Sequence, residues 1–145
     1  MIDRDPFNLQ RFLREQEIDY AVALEELRRG QKESHWIWYI FPQVSGLGLS
    51  SMSQKFAIHS RDEATAYLNH PILGSRLREC CDALLAHKGQ DIEVIMGYPD
   101  DLKLRSSMTL FAAVSKKRSV FHELLATFYE GEEDQRMLDF LNGQS

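Results

Sequence analysis

Two stretches of this chain gather side chains that could hold a flat, anionic ligand. In SHWIWYIFPQ (residues 34–43) the indoles of Trp36 and Trp38 offer an aromatic wall, flanked by the polar groups of His35 and Gln43. A segment with polar handles beside an apolar wall resembles the lining of a small-molecule pocket. His35 also carries the side chain most readily poised for proton transfer near neutrality. The run GLGLSS follows, ending in Ser50 and Ser51. Glycines let backbone approach a ligand closely, and a helix start near Ser51 or Ser53 offers N–H groups to an anion. Lys55 and Lys103 add cationic groups. In DDLKLRSSMTLFAAV (residues 100–114), helical spacing sets Asp100, Lys103 and Ser107 along one face, with Asp101 beside them.

Each of these features also has a purely structural reading. Aromatic residues at the density of Trp36 to Phe41 belong more often to a core than to a ligand cage, so most of that stretch is expected to be buried. The Gly-rich run reads equally as a plain connection ending in a serine N-cap, and lone lysines are usually solvated. Ser106, Ser107 and Thr109 are unfavourable choices for a helix interior unless close packing or hydrogen bonding explains them. A tight helix crossing and a polar stripe facing a pocket both account for them.

Composition limits the remaining classes. With 145 residues, the default is one domain, spanning 1–145 and able to bury about two-thirds of its unfolded surface. A formal net charge of −5 leaves no global basic field to gather phosphate backbone, so duplex nucleic acid is not an expected partner. The N-terminus lacks the basic start and apolar run of a signal peptide, and no apolar stretch is long enough to span a bilayer. These features predict a cytoplasmic protein with no membrane partner. Cys80 and Cys81 are neighbours in the chain, read as reduced thiols with at least one in the core, and no zinc spacing accompanies them. No metal or cofactor is expected. No Ser-His-Asp order or Walker motif is present, and His59, His70, His87 and His122 are read as surface or capping residues.

The elements that would position these residues are legible as helices. Apolar residues recur at three- and four-residue steps from Phe7 to Leu27, between an Asp5-Pro6 start and a Gly30 stop. A short helix is predicted near Met52 to Ile58. Ser60-Arg61-Asp62-Glu63 reads as a capping box opening a helix to about Asn69. His70-Pro71 restarts the chain into a helix reaching about His87, with Gly74 as its weak point. DIEVIMG, the segment after Pro99, Val120 to Tyr129 and Asp134 to Leu141 complete about eight helices. Trp36 to Phe41 is apolar at every position and could be strand or helix by pattern, with its β-branched and aromatic content leaning toward strand.

Four segments, HWIWYIFPQ, GLGLSSMSQKFAI, AYLNHPILGSRLREC and DDLKLRSSMTLFAAV, closely resemble the bacterial family catalogued as domain of unknown function 1810 (DUF1810), also called Rv1873-like, from about Asp5 to about Leu141. The resemblance implies a mainly α, single compact domain and places the aromatic stretch in a helix. It implies no activity. The order of shorter patches is similar to the NADAR or YbiA-like group, whose members are linked to cleavage of N-glycosidic bonds in ADP-ribose-type and ribosylamino-pyrimidine compounds. Lys55 falls where that group has a functional lysine. The acidic residue expected several positions earlier is Gly48 here, and the later helix carries Asp100 near the place of an expected tryptophan.

The aromatic wall and the helix-start anion site favour a small-molecule ligand, nucleotide- or ADP-ribose-like, and the similarity adds a hydrolytic reading of the residues. A base would stack on Trp36 or Trp38, with Gln43 at its edge and Ser50, Ser51 and Lys55 on phosphate or ribose. Asp101 or Asp100 would stabilise positive charge developing on the ribose or activate water, with His35 or Lys55 in the proton transfers. Lys103 and Ser107 would line the same face. The competing class is a noncatalytic helical interaction or sensor module whose protein partner is unknown.

Overall fold

The computed structural model describes residues 5–46, 50–116 and 118–143. Among them are nine α-helices and no strand, so the mainly α expectation holds. The helix beyond the predicted eight is a single turn, Ile37–Ile40 (α2), inside the aromatic stretch. Ile40 and Phe41 donate their N–H groups to Trp36 and Ile37 carbonyls at 3.2 and 3.0 Å. Phe41 then leaves the helix at φ −126°, ψ 76°. Pro42 accounts for that, because a residue before proline is driven out of the helical region.

The first helix, α1 (Gln10–Arg29), is continuous and starts later than Pro6. The Asp5 carboxylate reaches forward to the N–H groups of Leu9 and Gln10 at 2.7 and 3.1 Å. Gly30 closes α1 at φ 81°, in the left-handed region that glycine enters without strain. A third helix, α3 (Ser51–Lys55), is shorter than the predicted Met52–Ile58, because Phe56 to Ile58 turn back along the aromatic stretch. There Ile58 donates to Gln43 O at 2.7 Å and Ser45 donates to Ile58 O at 2.9 Å, forming an isolated parallel bridge between Val44 and Ile58. That bridge sets Gln43 beside α3.

The next two helices are α4 (Arg61–Asn69) and α5 (Leu73–Leu85). Ser60 caps α4 through the Glu63 N–H at 3.0 Å, but the Glu63 carboxylate does not complete the predicted capping box. It accepts from His59 N–H at 3.1 Å and pairs at 2.6 Å with Arg11 of α1. The Arg11 guanidinium also donates to the carbonyls of Phe7, Asn8, Lys55 and Ala57, knotting three segments into one buried joint. Of the four histidines expected at the surface or at caps, His70 and His122 cap helices: His70 Nδ1 accepts from Ile72 and Leu73 N–H at 3.1 and 3.2 Å, and His122 shares a reciprocal capping box with Ser119.

The core gathers around α7 (Asp100–Ala113), which packs against α2, α4, α6 (Ile92–Met96), α8 (Val120–Tyr129) and α9 (Gln135–Asn142). A helix so surrounded is buried on most sides and shows little amphipathic contrast. α1 lies across α2 and α5, and α5 also meets α4 and α8. Both cysteines are free and buried in α5. Burial pushes the Cys80 thiol up to about 12, so it stays protonated at neutral pH. Among the described residues no helix is long and apolar enough to cross a membrane.

Candidate functional site

Trp36 and Trp38 lie on different sides of the one-turn α2, and their surroundings divide the aromatic stretch into core and surface. The Trp36 ring is 1% exposed. Its indole N–H donates at 3.0 Å to Glu26 Oε1 of α1, and the ring presents no face to an outside ligand. Glu26 is itself buried and accepts from the Glu33 and Ser34 N–H groups at 2.8 and 2.9 Å and from the Ser34 hydroxyl at 2.6 Å.

The Glu26 carboxylate makes a prediction in acid. Burial alone would raise its pKa, but the Ser34 hydroxyl, the Ser34 and Glu33 N–H groups and the Trp36 indole outweigh that and hold it at about 2, against an ordinary 4.5. A folded-state value below the unfolded one contributes stability that is complete above the unfolded pKa and is lost as pH falls toward the folded one. Urea unfolding midpoints should therefore decline between pH 4.5 and about 2. Glu26→Gln should lower stability at pH 7 and flatten that decline; an unchanged acid slope in the variant would refute the assignment.

Around Trp38 the chemistry is open to solvent. The ring is half-buried and shares a notch with Gln43, Val44, Ser53 and Phe56. The notch has room for roughly one water molecule. The Lys103 ammonium stands 5.4 Å from the Trp38 ring centroid, an attractive cation–π placement. Lys103 also approaches Asp100 Oδ1 at 3.5 Å, while Lys32 holds Asp100 Oδ2 at 2.7 Å. The Lys32 side chain is only 5% exposed and donates to Ser34 O at 2.6 Å, with its ammonium 4.8 Å from the Trp36 ring. Asp100 thus bridges two lysines, each set over one of the two tryptophans. Lys32 was not among the residues singled out from sequence, and nothing local marks it: its burial depends on contacts with α2 and α7.

The other predicted site residues scatter. His35 is exposed at the edge of the stretch, its carbonyl accepting from the Tyr39 hydroxyl at 3.3 Å. Ser50 is the N-cap of α3 and accepts from the Ser53 N–H at 3.1 Å, and Ser51 is exposed; Leu47, Gly48 and Leu49 of the Gly-rich run lie outside the described residues. Lys55 turns to α1, 3.9 Å from Glu15, with its carbonyl held by Arg11. Asp101 is buried beside Tyr129 of α8, whose hydroxyl donates to the Asp101 carbonyl at 2.6 Å. Lys55 and Asp101, both candidates for the chemistry, therefore face different elements and form no pair.

Within α7 the polar residues also separate by role. Ser106 donates to the Asp134 carboxylate, and Thr109 Oγ1 accepts from Asp134 N–H at 2.9 Å. These two side chains seat the N-cap of α9, which is the packing explanation. Ser107, one helical turn beyond Lys103, is fully buried, and its hydroxyl has no partner among the described residues.

The family described as Protein of unknown function (DUF1810) matches residues 6–141. The chain belongs to the DUF1810 family. This member is 48% identical to the conserved hypothetical protein Rv1873 from Mycobacterium tuberculosis, whose crystal structure it matches with a TM-score of 0.93 over 95% of this chain and 99% of that one. No protein with a curated description matches it. Within this DUF1810 domain the middle of the aromatic stretch is helical, as α2 (Ile37–Ile40), against the strand lean of its residues.

Proposed function

We propose that this protein binds a small anionic molecule carrying a flat ring, of the nucleotide or ADP-ribose class, on the Trp38 face. The observation that supports it most is the Lys103 ammonium over the half-buried Trp38 ring, with the Gln43 amide and the Ser53 hydroxyl at the same notch. A ring stacked on Trp38 has a hydrogen-bonding edge within reach of Gln43, and Lys103 supplies a cation for the anionic part. The lysine stem is flexible, so swinging its head off the indole opens the ring face that the notch itself is too small to offer. Cleavage of an N-glycosidic bond is the finer form of this reading. It needs a carboxylate free to face a sugar cation. Asp100 is instead shared between Lys32 and Lys103, which favours binding without turnover.

The test is a titration of AMP, ADP, ADP-ribose and a ribosylated base into wild type, Trp38→Ala, Lys103→Gln, Lys55→Ala and Asp101→Asn, read by melting temperature and calorimetry. Base–aromatic stacking contributes about 1–3 kcal/mol, so Trp38→Ala should weaken binding about tenfold or more. Lys55→Ala should bind like wild type, because its ammonium faces Glu15. Chromatography of the mixtures for free base reads turnover directly. If none of the four ligands shifts the melting temperature, the protein is a helical interaction module instead.

A further inference from the structure

A second site lies at the other end of α7. From Lys103 to Ala113 the helix axis advances about 15 Å, so this region is separate from the Trp38 face. A groove of about 540 Å³ opens there between the end of α4, α5 and the link from α7 to α8. That is within the range of small-ligand sites, about 300–1,000 Å³. Arg78, Lys116, Ser115, Ser119, Asp82 and Phe121 are among its lining residues.

Its charge runs against that of the whole molecule. In a chain of net charge −5, the groove is lined by the cations Arg78 and Lys116 against one acid, Asp82. Among the described residues neither Arg78 nor Lys116 is ion-paired, although Asp82 lines the same groove. Arg78 spends one N–H on Leu68 O, at a long 3.4 Å, leaving most of its donor fork available. The Ser115 hydroxyl is shielded from solvent and has no partner among the described residues. Shielded hydroxyls are normally hydrogen-bonded, and a χ1 rotation toward the groove would bring this one to an acceptor there.

The ten-residue α8 starts at the same place. Ser119 and His122 satisfy each other's N–H groups, and those of Val120 and Phe121 are left for an acceptor from outside the helix. Guanidinium, ammonium, hydroxyl and helix-start N–H groups together match the several acceptor oxygens of a phosphate.

We propose that this groove binds the phosphate of a phosphorylated small molecule, with Arg78 and Lys116 as its cationic arms. It does not depend on the Trp38 reading, and its probe contains no base. Pyrophosphate is titrated into the full chain, followed by amide NMR and calorimetry at low and high salt, with a short single-stranded RNA as the comparison ligand. The Val120 and Phe121 amide signals should move saturably, and affinity should fall as salt rises. Lys116→Gln and Arg78→Gln should each weaken binding about tenfold, the usual effect of losing one charge-assisted hydrogen bond. Trp38→Ala should leave it unchanged. Arg78 also touches the end of α4, so the exposed Lys116 carries the test if Arg78→Gln melts early. Failure of pyrophosphate to bind, binding of RNA alone, or wild-type affinity in Lys116→Gln would each overturn the proposal.

Discussion

Trp36→Ala is expected to lower the unfolding free energy by about 3–5 kcal/mol, the range seen when a fully buried large aromatic is truncated. The ring is 1% exposed and lies 6.2 Å from the Phe41 ring, centroid to centroid. Removing it leaves a void in a place where neighbouring backbone cannot collapse, since α2 is pinned by Gln16 of α1, whose amide donates to Tyr39 O at 2.7 Å. Two buried charges also suffer. Glu26 loses one of its four donors, and Lys32 loses the aromatic face beneath its ammonium. Natural domains are stable by only about 5–15 kcal/mol, so the variant should sit near the edge of folding. Trp36→Phe keeps most of the volume and loses the indole N–H, so it should cost about 1–3 kcal/mol. Urea unfolding of both variants decides the matter; a loss below about 1 kcal/mol in Trp36→Ala would show that the ring is not a core group.

The second large effect is expected at Gly74, where helix propensity and packing give opposite signs. Alanine is favoured over glycine inside a helix by about 1 kcal/mol, so propensity predicts that Gly74→Ala stabilises α5. A Cβ built at this position would stand 2.0 Å from the Leu68 carbonyl oxygen and 3.0 Å from the Leu68 carbonyl carbon and Arg78 Nη1. The arginine can move aside. The Leu68 carbonyl cannot, because it belongs to the last turn of α4, where Leu68 is buried in the core. Relief requires separating α4 from α5 at their shared corner, where His70 caps the start of α5. Overpacking of this kind costs about 1–3 kcal/mol and more when backbone must shift, so a net loss of about 3 kcal/mol is expected. A melting temperature at or above wild type would refute the close approach.

Local order along the chain was enough for most of the helices. Caps and periodicity act over three or four residues, and a sequence displays them directly: Ser60, Asp91, Ser119 and Asp134 each cap the helix that follows. The aromatic stretch is the exception, since six residues of continuous apolar character, Trp36 to Phe41, carry no period, and only its DUF1810 resemblance pointed to a helix.

The candidate site was legible in its parts and not in its pairing. Asp100 and Asp101 are adjacent and chemically alike, yet a helix turns about 100° per residue, so one reaches Lys32 and Lys103 while the other packs beside Tyr129. Lys55 and Lys103 read alike as lone lysines, and only the way α3 meets α1 and α7 meets α2 sends one to Glu15 and the other to Trp38. Arg11 and Glu63, 52 residues apart, gave no local sign of their shared burial. Residue types and helical faces are properties of short segments. Which faces meet is set by long-range packing that satisfies buried polar groups and fills space, and it made Lys32 and Asp100 partners and left Trp38 half-buried beside Lys103.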